Sequence, residues 1–117
     1  MTEETRASFQ WLMRLDASTN LRENRYAHRR RVQRERGLTR WMLGARVKGW
    51  LPVTVTIVRI GKGRLDGDNL QTAAKAVRDG VADALGVRDN HPQVLWVYEQ
   101  LRGPEYRVRI EIERPQP

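Results

Sequence analysis

Residues 53–100 carry the pattern that most narrows the fold. Val53-Thr54-Val55-Thr56-Ile57-Val58-Arg59-Ile60 is a dense β-branched run of strand length. A flexible basic loop, Gly61-Lys62-Gly63-Arg64, follows it. Leu70, Ala73, Ala74, Val77, Val81, Ala84 and Leu85 then recur at helical spacing and predict one helix from about Asn69 to Leu85. Asp68 or Asn69 is its expected N-cap and Gly86 its C-cap. Val94 to Gln100 reads as a strand again. Strand, amphipathic helix and strand form a βαβ excursion that returns the chain to its own sheet.

The flanks add elements of both kinds. Phe9, Trp11, Met13 and Leu15 alternate with Gln10, Leu12 and Arg14, a first strand with one apolar face, ended by the turn formers Asp16-Ala17-Ser18-Thr19-Asn20. Leu21 to Arg36 is polar and basic around Arg29-Arg30-Arg31 and reads as a loop or arm over about 21–36, or as a separate helix. Leu38, Trp41, Met42 and Ala45 fall at i, i+3, i+4 and i+7, an amphipathic helix from which Gly37 separates the basic part. Tyr106 to Glu113 turns Val108, Ile110 and Ile112 to one face and Arg107, Arg109, Glu111 and Glu113 to the other. Leu101-Arg102-Gly103-Pro104 reads as a hairpin connection into it, and residues 114–117 as a frayed tail. The expected fold is α/β (α+β): a small mixed β-sheet with helices packed on it, order β-α-β-α-β-β, one domain over residues 1–117.

A chain of 117 residues buries a modest core, so association of copies would supplement it. Cysteine is absent, which excludes disulfides and zinc thiolate sites. No apolar run is long enough to span a membrane or resembles a secretory signal, and the expected compartment is the cytoplasm. The formal net charge is +8, almost all of it arginine, since lysine occurs only at Lys48, Lys62 and Lys75. Arginine grips phosphate oxygens through a planar fork of donors, so a nucleic acid is the expected partner. A solubilising surface or an acidic protein partner would account for the charge as well.

Against that basic background stand a few acids. Asp66 and Asp68 lie two apart at the exit from the loop, where an extended backbone would turn both to one side. Asp89 follows the helix, and the βαβ return could bring it near the first two. Clustered carboxylates repel unless a cation separates them, and magnesium favours such hard oxygens. Lys75, seven residues past Asp68, would lie on nearly the same helix face and lean back toward the metal end, with Asp79 as an i,i+4 partner. Taken singly, these residues also make an ordinary turn, cap and loop.

Other motifs fail. Gly61-Lys62-Gly63 lacks the spacing of a P-loop, and Leu70 stands at the third ligand position of a calcium loop. His28 and His91 have no zinc-ligand spacing. Trp11, Trp41, Trp50 and Trp96 are expected as core or interface anchors rather than base-stacking platforms.

Leu65-Asp66-Gly67-Asp68-Asn69-Leu70-Gln71, with Lys75, Asp79 and Asp89, resembles the RusA family of Holliday junction resolvases, in which a D-x-D-N-L motif precedes a helical lysine and a further aspartate. The likeness covers roughly Val53 to Ile112. It implies a magnesium-dependent endonuclease, with manganese as a substitute ion, acting as a homodimer on four-way DNA junctions. Asp66, Asp68 and Asp89 would be its metal ligands and Lys75 its catalytic lysine. In the best-known form the lysine directly follows Asn-Leu-Gln, where Thr72 stands here, so Lys75 is one turn further on. The family often carries two adjacent acids where this chain has Arg88-Asp89-Asn90; alignment on Pro92 and Val94 selects Asp89, and a gap would select Asn90. Arg29, Arg30, Arg31, Lys62 and Arg64 are the expected grips on backbone phosphates. A phage or prophage origin is part of the same implication. A non-catalytic nucleic-acid-binding module and a nuclease for other branched DNA are the alternatives.

Overall fold

The computed structural model describes residues 4–16 and 21–115. The chain runs β1 (Arg6–Leu12), α1 (Arg25–Leu43), β2 (Val53–Gly61), α2 (Gly67–Ala73), α3 (Lys75–Leu85), β3 (Val94–Arg102) and β4 (Arg107–Glu113). These seven elements follow the expected order, with the second helix divided in two. The strands form one four-stranded mixed sheet in the order β1-β4-β2-β3. β2 and β3 are parallel, with Val53 opposite Val94, as a βαβ excursion requires. β4 lies between β1 and β2 and is antiparallel to both.

Period-two alternation decides which face is covered. Val55 and Ile57 of β2 and Val108, Ile110 and Ile112 of β4 are buried in one core with Ala74, Val77, Val81 and Leu85 of the helices. Ser8 and Gln10 of β1, Thr54 and Thr56 of β2, and Glu111 of β4 lie on the opposite, open face. α1 packs on α3 at Gly80, where an added Cβ would meet the Arg36 carbonyl oxygen at 2.6 Å and Thr39 Cβ at 2.7 Å. Gly86 ends α3 in the left-handed region, with φ of 85°.

Several expectations need correction. The β3–β4 link is not a hairpin, because β2 lies between the two strands. The link crosses the end of β2: Gly103 N donates to the Gly61 carbonyl at 3.1 Å. Tyr106 lies so close over Gly61 that a Cβ there would fall 2.5 Å from the ring. The basic segment is neither a loop nor a separate helix, since Arg25–Leu43 is one continuous helix that passes through Gly37. Its fully buried residues are Glu35, Thr39 and Leu43, so apolar spacing marked only its C-terminal part, where Leu38 and Met42 pack against the core and Trp41 points outward, 76% exposed. β1 begins at Arg6 and ends at Leu12, before buried Leu15. Asp16 is buried against Arg14, and the remainder of the predicted turn, residues 17–20, lies outside the described residues. The first part of the predicted tail is tied down rather than frayed. Arg114 donates to the Glu4 and Thr5 carbonyls at 2.8 and 2.9 Å and lies over the Trp50 ring at 4.2 Å.

Candidate functional site

The loop that delivers Asp66 is fixed by two side chains whose roles are not visible in the sequence. Arg59, buried in β2, donates from Nε to the Leu15 carbonyl at 2.7 Å, and its other nitrogens reach the Lys62 and Gly63 carbonyls at 3.4 and 3.5 Å. Gln100 of β3 pairs with Leu65 as a strand would, accepting from its N–H at 2.9 Å and donating to its carbonyl at 2.8 Å. The chain therefore enters α2 from a clamped position, one residue before Asp66.

Asp66 is itself the N-cap, in place of the expected Asp68 or Asn69. Its Oδ1 accepts from Asn69 N at 2.9 Å, and its Oδ2 from Asn69 Nδ2 at 3.3 Å. Helix starts at Gly67, so Asp68 is already in the first turn. The two aspartates are thus not alternate residues of an extended segment, and helical positions two apart do not face each other. A cleft of about 720 Å³ opens beside Asp66, walled by Arg64, Gln71, Tyr98 and Gln100.

The predicted helix breaks at Ala74, which ends α2 and starts α3. Asp68 and Lys75 therefore do not share one continuous helical face. Lys75 opens α3 and leans toward the C-terminus rather than toward Asp68. Its Nζ donates to Asp79 Oδ1 at 2.8 Å, the expected i,i+4 pair, and to Asp89 Oδ2 at 2.7 Å. Burial lowers the Lys75 pKa, but the bonds to Asp79 and Asp89 outweigh it and leave the ammonium above its ordinary range. The Lys75 hydrogen bond in turn holds Asp89 below the usual carboxylate range, against a smaller opposing effect of burial.

Arg78 and Trp96 complete the hold on Asp89. Arg78 Nε lies 3.3 Å from Asp89 Oδ2, an ion-pair contact that makes no hydrogen bond, and its Nη2 donates to the Asp89 carbonyl at 3.0 Å. Trp96 Nε1 donates to the same carbonyl at 2.8 Å, and the guanidinium lies 4.7 Å from the centre of the Trp96 ring. Arg78 Nη1 also donates to Tyr98 Oη at 2.9 Å, which ties the Asp89 loop to the wall of the Asp66 cleft. Arg78, Trp96 and Tyr98 could have been suspected only from their place beside the predicted motif.

Magnesium takes hard oxygen donors, and these carboxylates are of that kind. As arranged, they do not form a three-acid site. Asp66 is engaged as a cap, Asp89 is neutralised by Lys75 and Arg78, and no group of three or more His, Cys, Asp or Glu side chains among the described residues is placed to hold a metal ion.

The basic residues divide into two kinds. Arg29 and Arg30 on α1 and Lys62 and Arg64 in the loop after β2 are exposed. Arg31 turns inward, with its side chain 12% exposed between Glu23 at 2.7 Å and Glu35 at 3.0 Å. A guanidinium held there is a structural counter-ion and not a grip on phosphate. Beside it a cavity of about 240 Å³ connects Asp16, His28 and Glu35 with Thr72 and Lys75. Glu35 is 4% exposed, its Oε1 has no hydrogen-bond partner among the described residues, and burial raises its pKa despite Arg31. No helix among the described residues is long and apolar enough to cross a membrane. No protein-family model matches the chain, and no curated protein matches it.

Proposed function

We propose that the chain is a structure-specific endodeoxyribonuclease that cuts branched DNA, four-way junctions above all, as a homodimer with magnesium as its cofactor. The observation that carries this reading is the 2.7 Å contact between Lys75 and Asp89, the lysine and third acid of the resemblance, which meet although 14 residues separate them. Asp66 and Asp68 stand at the start of α2, and Tyr98 in the wall of the cleft beside Asp66 accepts a hydrogen bond from Arg78, which also holds the Asp89 carbonyl. A divalent ion carried by Asp66, Asp68 and Asp89 would supply Lewis acidity and a nucleophilic hydroxide. For Asp89 to serve as a ligand, Lys75 and Arg78 must release it. The freed Lys75 ammonium is then available to neutralise charge that builds on a phosphate oxygen. Arg29, Arg30, Lys62 and Arg64 grip backbone phosphates without reading sequence. Two such sites related by a two-fold axis suit a junction of near two-fold symmetry.

A second reading, a nucleic-acid-binding module without catalysis, draws support from the structural work these acids already do: Asp66 caps α2 and Asp89 pairs with two cations. Incubation of the protein with synthetic four-way junctions and magnesium separates the two. Paired symmetric nicks from the wild type, with junction binding but no nicks from Asp68→Asn, are the expected result. A wild type that binds junctions and cuts neither them nor flaps and forks would leave the binding module.

A further inference from the structure

The outward face of α1 carries more than charge. At about 100° per residue, Tyr26, Arg30, Gln33, Gly37, Arg40 and Trp41 share one stripe roughly 100° wide, opposite buried Glu35, Thr39 and Leu43. Both aromatic rings on it are exposed, Tyr26 at 69% and Trp41 at 76%. The Arg30 guanidinium lies 5.5 Å from the centre of the Tyr26 ring. The helix has no exposed acid, since Glu35 is buried. Gly37 stands mid-helix where an added Cβ would meet nothing within 4 Å. A glycine there costs about 1 kcal/mol against alanine, and no contact among the described residues requires it. It leaves bare backbone between the two aromatics, with a groove of about 680 Å³ running from it past Arg40 and Trp41 to Lys48.

We propose that this face is a stacking platform for unpaired nucleotides. Bases lie on Trp41 and Tyr26, and Arg30 and Arg40 take the intervening phosphates. Every base has a π-face, so stacking of this kind tolerates any sequence. Duplex DNA covers those faces with neighbouring pairs, whereas a branch point or displaced strand leaves them open. Fifteen helical positions place the two rings about 22 Å apart along the axis, a span of several nucleotides. A second copy of the chain is a poor occupant, because two-fold pairing of this face would set arginine against arginine. The inference rests on the nucleic-acid part of the proposed function and not on cleavage.

Fluorescence anisotropy in EDTA tests it, with a labelled oligothymidylate and a blunt duplex of equal length. The wild type is expected to prefer the single strand. Trp41→Ala should weaken single-strand binding by about tenfold, Trp41→Phe should largely retain it, and duplex binding should change little in either. Thermal melting confirms that the variants fold. Unchanged single-strand affinity in both Trp41→Ala and Tyr26→Ala overturns the proposal, as does a wild type that prefers duplex. If Trp41→Ala instead dissociates a dimer in sedimentation while single-strand binding persists, the face is a protein interface and the proposal is wrong. Because no metal is present, a protein inactive on junctions leaves this result untouched, and failure here leaves junction cleavage standing.

Discussion

Lys75 at the start of α3 and Asp89 in the loop that leads into β3 meet at 2.7 Å, and Asp79 takes a second bond from the same ammonium at 2.8 Å. The lysine is thus committed to two carboxylates, and one of them is needed elsewhere if the chain cuts DNA. That competition has a measurable consequence. Lys75→Met should reduce junction cleavage by about a hundredfold, the scale of losing one charge-stabilising donor. It should also tighten binding of manganese alone, measured by calorimetry, because Asp89 loses its strongest cationic partner. Weaker manganese binding in this variant would show that Lys75 orders Asp89 for the ion rather than competing with it.

The pH response of the same pair follows from its shifts. Asp89 has a lowered pKa, so the stability it contributes is present above the unfolded carboxylate value, roughly 3.9, and is lost as pH falls through the folded value. Lys75 has a raised pKa, so its share is present below the unfolded amine value, roughly 10.4, and is lost as pH rises through the folded one. The difference in melting temperature between wild type and a Lys75→Met, Asp89→Asn double variant should therefore be flat from pH 5 to 9 and change outside it. A difference that varied through neutral pH would place the pair's titration elsewhere.

Glu35 behaves in the opposite sense. Burial raises its pKa, so the stability linked to it is greatest below the unfolded value of roughly 4.3 and falls as pH rises through the folded value. Glu35→Gln removes that titration and keeps a side chain able to accept from Arg31. Relative to wild type, the variant should gain in melting temperature as pH rises from 4 to 7. A constant difference across that range would mean that Glu35 titrates normally.

Some of the architecture was legible in the residues and some could not be. β4 alternates in the sequence and in the fold because one of its faces meets the core and the other is open, the case in which period two is unambiguous. The stripe from Leu70 to Leu85 and its stop at Gly86 were equally plain. The N-terminal part of α1 was hidden because the helix buries Glu35 and Thr39, with Arg31 as a counter-ion, so its inward face looks polar in sequence. Thr39 is satisfied locally, donating to the Glu35 carbonyl at 2.7 Å. Strand adjacency was misread because a short Gly-Pro link suits a hairpin, and nothing local says that the link will cross β2 over Gly61. At the candidate site, spacing alone drew attention to Asp66, Lys75 and Asp89. The parts played by Arg59, Gln100, Arg78 and Trp96 depend on tertiary neighbours.

Two glycines on facing and outward surfaces should respond oppositely to one added methyl group. At Gly80 the new Cβ meets backbone and a buried Thr39, and overpacking of this kind costs about 1–3 kcal/mol. At Gly37 nothing lies within 4 Å, and alanine should stabilise by about 1 kcal/mol through helix propensity. Chemical denaturation of Gly80→Ala and Gly37→Ala should thus move the midpoint down and up respectively. Equal shifts would mean that the Arg36 carbonyl and Thr39 leave room for a Cβ at Gly80.

The two aspartates of the motif separate structure from chemistry most cleanly. Asp66 accepts from Asn69 N at 2.9 Å, so Asp66→Ala should lose about 1 kcal/mol of stability with the cap. Asparagine caps nearly as well, so Asp66→Asn should restore stability while leaving a neutral side chain that cannot balance a divalent cation. Asp68 is exposed in the first turn, where a carboxylate gains only the helix-dipole contribution of a few tenths of a kcal/mol, and Asp68→Asn should melt almost as the wild type does. If the chain is a nuclease, both asparagine variants fold normally, bind junctions and fail to nick them. If junction nicking survives both substitutions, the carboxylates at the start of α2 are a cap and a solvated surface residue, and the chemistry must be sought at another place on the molecule.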